Sequence, residues 1–226
     1  MQSLAEIKQE ISLLIEYATP AELRQEAMRL VDRYETDLVA LRVFHHFYSY
    51  LPEAQEDAIR IIRLLARRQG TFLLCATTGI DNYLYLVTSE QAEFVGPLAT
   101  GLEDAEVLGF FGIASPEDFR KRCSDLDHLP VHVPAPLDNR LCPICLVEDG
   151  ECHTLGCPVE VCPWCGGQLI SCQCRFAQLG RASLTTEGQI DDFLEKLEKK
   201  GRLPFNADED RPTYPDPTEL MSRRDD

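Results

Sequence analysis

Cys142-x-x-Cys145 and Cys162-x-x-Cys165 constrain this chain more than any other feature. Of its 10 cysteines, only Cys75 and Cys123 lie outside the stretch from Cys142 to Cys174. In a Cys-x-x-Cys unit two thiolates can reach one ion at about 2.3 Å. The N-terminus, MQSLAEIKQE, is polar and shows no secretory signal. The expected location is therefore the cytoplasm, where thiols stay reduced and paired cysteines favour metal over disulfides.

The candidate ligands are Cys142, Cys145, Cys152, His153, Cys157, Cys162, Cys165, Cys172 and Cys174. They exceed one tetrahedron, so two ions are expected, zinc before any other. Two pairings satisfy the spacing. In an interleaved one, Cys142, Cys145, Cys162 and Cys165 share an ion, and His153, Cys157, Cys172 and Cys174 share another. In a sequential one, Cys142 and Cys145 join Cys152 or His153 and Cys157, while Cys162, Cys165, Cys172 and Cys174 form the second set. An internal repeat supports the sequential set, because Cys142-x2-Cys145-x6-Cys152 recurs as Cys162-x2-Cys165-x6-Cys172. The interleaved set is favoured on the ground that a ribbon joins two knuckles and Cys-x-Cys is a poor knuckle alone. Cys152 stands as the alternative to His153. Nine donors leave no open coordination position, which favours a structural metal over a catalytic one.

The run His153-x3-Cys157-x4-Cys162-Pro163-Trp164-Cys165-Gly166-Gly167-Gln168-Leu169-Ile170-Ser171-Cys172-x-Cys174 resembles a motif in a loose group of uncharacterised bacterial zinc-ribbon-like proteins. The likeness covers about a tenth of the chain and implies metal binding and a bacterial source, but no activity. The CPxCG knuckle also resembles rubredoxin, which implies iron as the alternative metal. Leu146 stands where that pattern has glycine after the first pair.

Elsewhere the 226 residues read as an ordinary globular chain, without an apolar run long enough to span a bilayer. Leu4, Ile7, Ile11, Leu14 and Ile15 recur at helical spacing, and Pro20 ends that run. A second helix starts near Leu23 and continues to Tyr50, kinked near Thr36. A third is expected from Pro52 through Glu53, Ile59, Ile62, Leu65 and Ala66, ended by Gly70. TFLLCATT and NYLYLVTS, joined by TGID, read as a β-hairpin, with a further strand around Glu93 to Leu98. Short helices are expected over Glu103–Phe111 and after Ser115-Pro116. Ile190, Phe193, Leu194 and Leu197 line a C-terminal helix ended by Lys199-Lys200-Gly201.

The fold class expected is α+β: an N-terminal helical bundle or hairpin with a small antiparallel β-hairpin region, then a zinc-ribbon-like module and a C-terminal helix. The domains divide as 1–123, a proline-containing linker 124–141, the metal module 142–184, an amphipathic helix 185–203 and a disordered acidic tail 204–226.

Function is constrained partly by what is missing. The net charge is −16 and no segment is basic, so nucleic acid is a poor partner. No phosphate loop, nucleophile elbow or His-Glu-x-x-His helix is present. His45 and His46 lie about 100° apart on a helix and cannot share a metal. His128 and His132 read as loop residues, Cys75 as a buried strand residue, and Trp164 as a packing residue in its knuckle. Asp81, Glu90 and Glu93 show no pairing for acid–base work. The leading expectation is a non-enzymatic zinc protein whose helical or hairpin domain engages another protein, without a membrane. The alternatives are a regulatory nucleic-acid-associated ribbon using Arg140, Arg175 and Arg181, an interleaved RING-like ligase, and an enzyme with a site in residues 1–140.

Overall fold

A computed structural model describes residues 3–52, 56–134 and 140–209. The chain forms two compact units, Met1–Asn139 and Arg140–Asp226. The class is α+β, with N-terminal helices, a four-stranded antiparallel sheet, two cysteine clusters and C-terminal helices.

Three helices begin the first unit: α1 (Leu4–Ala18), α2 (Ala21–Arg33) and α3 (Leu38–Tyr50). Ser3 and Glu6 close a capping box on α1, whose Ile7, Ile11 and Ile15 face inward. The expected kinked helix is two helices. Its break is capped by Asp37, whose Oδ1 accepts from the Ala40 N–H at 2.9 Å.

The sheet follows as a meander, β1 (Ile61–Arg68), β2 (Thr71–Thr77), β3 (Asn82–Val87) and β4 (Ala92–Pro97). Here the expected third helix is corrected: Ile62, Leu65 and Ala66 lie on β1, and Ile59 just precedes it. Their spacing fits one helical face, but Arg68 pairs with Thr71 across a two-residue turn. Gln69 and Gly70 both take positive φ, 47° and 72°, as a tight hairpin requires. Gly70 therefore turns a hairpin instead of ending a helix. The long-range ladder to β2 outweighs a local pattern that helix and strand share. Glu53, within that expectation, lies outside the described residues.

The sheet is buried on both faces, which explains why β2 is apolar from Phe72 to Ala76. Tyr83 and Tyr85 meet Phe47 and His46 of α3 at ring distances of 6.2 and 5.6 Å. On the other face Leu73, Cys75 and Leu84 pack with Leu102, Leu108, Ile113 and Phe119. These come from two short helices, α4 (Ala105–Phe110) and α5 (Pro116–Arg122), and the segments beside them. The Cys75 thiol is pushed up to about 12, chiefly by burial, as expected of a packing residue.

Part of the expected linker belongs to the sheet. His132 N–H donates to Ile62 O at 2.8 Å, and Leu64 N–H to Pro130 O at 3.0 Å. The His132 ring stacks on Tyr34 and its Nε2 meets the buried Asp37 carboxylate at 3.0 Å. His132 is a loop residue as expected, but a buried one that anchors the loop, a role with no local sequence signal. His128 pairs with Asp125 at the surface. Pro136 of the linker and residues 210–226 of the expected tail lie outside the described residues.

The second unit holds two loop knuckles, the short α6 (Cys174–Leu179) and α7 (Glu187–Lys200). No helix among the described residues is long and apolar enough to cross a membrane.

Candidate metal centres

The internal repeat in the sequence is also a repeat of backbone hydrogen bonds. Cys142 N–H donates to Val147 O at 2.8 Å and Leu146 N–H back to Cys142 O at 3.0 Å. Twenty residues on, Cys162 N–H donates to Gly167 O at 2.7 Å and Gly166 N–H to Cys162 O at 2.9 Å. Antiparallel bridges close both loops, Leu141 with Glu148 and Val161 with Gln168. Each knuckle presents its two sulfurs on the same side of a tight turn. The turn residue after the second cysteine takes positive φ in both, 62° at Leu146 and 72° at Gly166.

The ligand atoms gather sequentially. Cys142, Cys145, His153 and Cys157 lie within 4.8 Å of one another, as do Cys162, Cys165, Cys172 and Cys174. The interleaved arrangement is therefore corrected. Each knuckle completes its set from the loop that follows it, where closing a short local loop costs less entropy than crossing to the other knuckle. Cys152, the repeat counterpart of Cys172, stays outside the first set; His153 enters through Nδ1, 3.3 Å from Cys145 Sγ.

The spacing fits a tetrahedral ion. Two sulfurs at about 2.3 Å from one metal stand roughly 3.8 Å apart, and Cys142 Sγ and Cys157 Sγ are 3.8 Å apart. Electrostatics point the same way. Hydrogen bonds from Cys142 and Cys157 hold the Cys145 thiol far below the usual range. Contact with Cys142 and Cys145 pushes Cys157 far above it. Burial opposes charge on His153, but the thiols of Cys142 and Cys145 outweigh it and push the imidazole up to about 9. Cys165 and burial push Cys174 up to about 12. Sulfurs this close cannot all ionise together without a cation to offset their repulsion.

The two sets differ in depth. All four residues of the first are buried, whereas in the second Cys162 is buried, Cys165 exposed and Cys172 and Cys174 half-buried. A strap after α7 covers the first set. Phe205 N–H donates to Glu151 O and Gly150 N–H to Phe205 O, both at 2.8 Å, and the Phe205 ring packs edge-on to His153. Residues 204–207, expected in a disordered tail, are thus held, with Phe205 only 3% exposed. Arg202 ties the strap down: its Nε and Nη2 donate to Glu160 Oε1 at 2.9 and 2.7 Å, and Nη2 also reaches His153 O. Neither Arg202 nor Glu160 carries a sequence signal, since they are 42 residues apart.

Phe193 and Leu197 of α7 pack on the second knuckle with Trp164, whose ring lies 6.1 Å from Phe193. Beside them runs a groove of about 410 Å³ lined by Leu155, Leu169, Ile170, Phe176, Leu184 and Ile190, with Arg175 its one charged wall.

The remaining singled-out residues form no centre. His45 pairs with Glu10 at 3.1 Å, and His46 packs on Tyr50 and Tyr85. Asp81 sits in the Thr78–Asp81 turn, and Glu93 pairs with Leu86 across the sheet. Comparison with protein-family models, curated proteins and solved structures gives no match in any of the three.

Proposed function

We propose that the second unit is a non-enzymatic structural module holding two zinc ions, one on Cys142, Cys145, His153 and Cys157 and one on Cys162, Cys165, Cys172 and Cys174. The observation that carries this is closure: each set supplies four donors, a full tetrahedron with no position left for water or substrate. The ions would join loops that otherwise share few apolar contacts. His153 would bind through Nδ1, with Nε2 left as the protonated, buried outer nitrogen. At the first set, three sulfurs and an imidazole suit zinc better than a rubredoxin-type iron, which takes four sulfurs. Elemental analysis of the purified chain is expected to give two zinc ions; a red protein with one iron would overturn the reading.

A shallow hollow beside Asp81, Asn82, Phe119 and Arg120 holds Cys123. Burial pushes that thiol up to about 11, which keeps it protonated at neutral pH and a poor nucleophile.

The partner read here is a protein, and the apolar groove beside α7 is the surface best suited to it. Leu155, Ile170 and Ile190 are each at least 40% exposed in one concavity. Arg175, its one charged wall, fits an apolar segment of another protein that carries a carboxylate. Binding lost on both Ile190→Asp and Arg175→Glu, and regained when the partner's acid is changed to lysine against Arg175→Glu, is the expected result. A self-association of this chain, or docking of its own residues 210–226, would replace that partner. A nucleic-acid role has less support. Arg140 is met by Asp149 at 2.5 Å, and Arg175 donates to Ile170 O while lying 4.7 Å over the Phe176 ring.

A further inference from the structure

The repeat gives two knuckles with the same backbone, so differences between the centres come from their side chains and cover. The first set has three thiols and an imidazole, all buried, beneath the Phe205 strap. The second has four thiols and one of them, Cys165, is exposed. With a dication bound, three thiolates and a neutral imidazole carry a net charge of −1, and four thiolates carry −2. The second set is therefore the more electron-rich and the more accessible of the two.

We infer that the second centre is an oxidation site for peroxides, at which Cys165 and Cys174 join in a disulfide and the metal is released while the first centre stays intact. The inference rests on the two-metal reading above. In the chemistry, the Cys165 sulfur attacks one peroxide oxygen. An S–O bond forms, the O–O bond breaks, and hydroxide leaves as water after taking a proton. The Cys174 thiolate then attacks that sulfur. An S–S bond forms, the S–O bond breaks, and a second hydroxide leaves as water. Two thiolates lose two electrons in all, and one hydrogen peroxide with two protons becomes two waters. Cys174 is the resolving thiol: its sulfur lies within 4.8 Å of the Cys165 sulfur, and it is half-buried where Cys162 is fully buried. With Cys162 and Cys172 alone remaining, the set has two donors and cannot retain its ion.

Three thiols lie outside the ligand sets. Cys75 and Cys123 sit in or against the apolar core of the first unit, where burial pushes both thiols up and slows their reaction. Cys152 is half-buried and outside both ligand sets.

The test uses the full chain. Metal content is measured first, so a preparation with fewer than two ions overturns the two-metal reading before peroxide is added. Hydrogen peroxide is then titrated in the presence of a chromogenic zinc chelator, and disulfides are mapped by mass spectrometry. One ion of the two is expected to leave, with Cys165 linked to Cys174, and reduction with added zinc should restore both. Cys152→Ser should release the same single ion at the same rate. Release of both ions together, release of none, a disulfide within Cys142–Cys157, or loss of the response in Cys152→Ser would each overturn the inference.

Discussion

The two units solve the same problem by different means. The first buries apolar side chains from three layers, with Ile7, Ile11, Ile15, Phe44, Leu73, Leu84 and Phe119 all nearly inaccessible. The second has little to bury. Beyond its cysteines, its buried apolar residues among those described are Leu146, Val147, Leu169, Phe193, Leu197, Phe205 and Ala207. A unit so poor in core needs covalent or metal staples, because the apolar area removed from water barely offsets the entropy of ordering its loops. Cys75 and Cys142 show the contrast. Both are fully buried, but one packs among leucines and the other among sulfurs.

Metal removal is the strongest way to break that comparison. A structural zinc contributes an apparent ~10–16 kcal/mol of folding free energy in small modules, more than a typical domain's whole stability of about 5–15 kcal/mol. Strong chelation should unfold the second unit and leave the first folded. Trp164, the chain's single tryptophan, lies in the second knuckle and reports on that unit alone. Its fluorescence is expected to shift to that of an exposed indole, while far-UV circular dichroism keeps the helix and sheet signal of the first unit. Loss of both signals together would mean that the first unit also depends on metal.

How much of this was legible in the sequence follows from where each piece of information lies. The knuckles, β2, β3, β4 and the cap at Ser115 are short-range features, and their residues state them. β1 is not, because Ile62, Leu65 and Ala66 fit a helix equally well until β2 is there to pair with them. The ligand pairing failed for a related reason. Spacing fixes which cysteines form a knuckle, but which later donors complete it is set by the three-dimensional path of the loop that follows, which spacing does not state. The repeat that supported the sequential arrangement was sound for the backbone and misleading for Cys152, since His153 takes its place. Arg202, Glu160 and His132 act on residues 42 or more positions away, where no local pattern can announce them.

Removing single ligands sharpens the contrast inside the second unit. Cys145→Ser and Cys165→Ser should each cost one ion by elemental analysis. The buried change should unfold the unit further, because the Phe205 strap and Val147 pack around that centre. Trp164 fluorescence in urea should show a lower midpoint for Cys145→Ser than for Cys165→Ser. The reverse order would mean that depth does not decide how much each centre contributes.

Arg202→Ala tests whether the polar strap matters beside the metal. Glu160, 1% exposed, would lose both hydrogen bonds from the Arg202 guanidinium. Leaving one partner of a buried pair uncompensated costs about 3–5 kcal/mol. The expected result is a lower urea midpoint with two ions still bound, and partial rescue by Glu160→Gln in the same chain. No change in midpoint would assign the strap's hold to Phe205 alone.

The smallest effect lies in the turn that both knuckles share. Gly166 and Leu146 occupy equivalent left-handed positions, at φ of 72° and 62°. A Cβ added at Gly166 would meet nothing within 4 Å, so Gly166→Ala costs only backbone strain, about 1–2 kcal/mol. Leu146→Gly would relieve a similar strain. It would also expose the space filled by a side chain 9% accessible, worth about 1.5–3 kcal/mol when buried, and add ~0.5–1 kcal/mol of unfolded-chain entropy. Both changes should therefore destabilise, for opposite reasons, by small shifts in the urea midpoint of the zinc-loaded protein. A Leu146→Gly variant more stable than the parent would show that this leucine contributes no packing, and that even the better-cored knuckle is held by its metal alone.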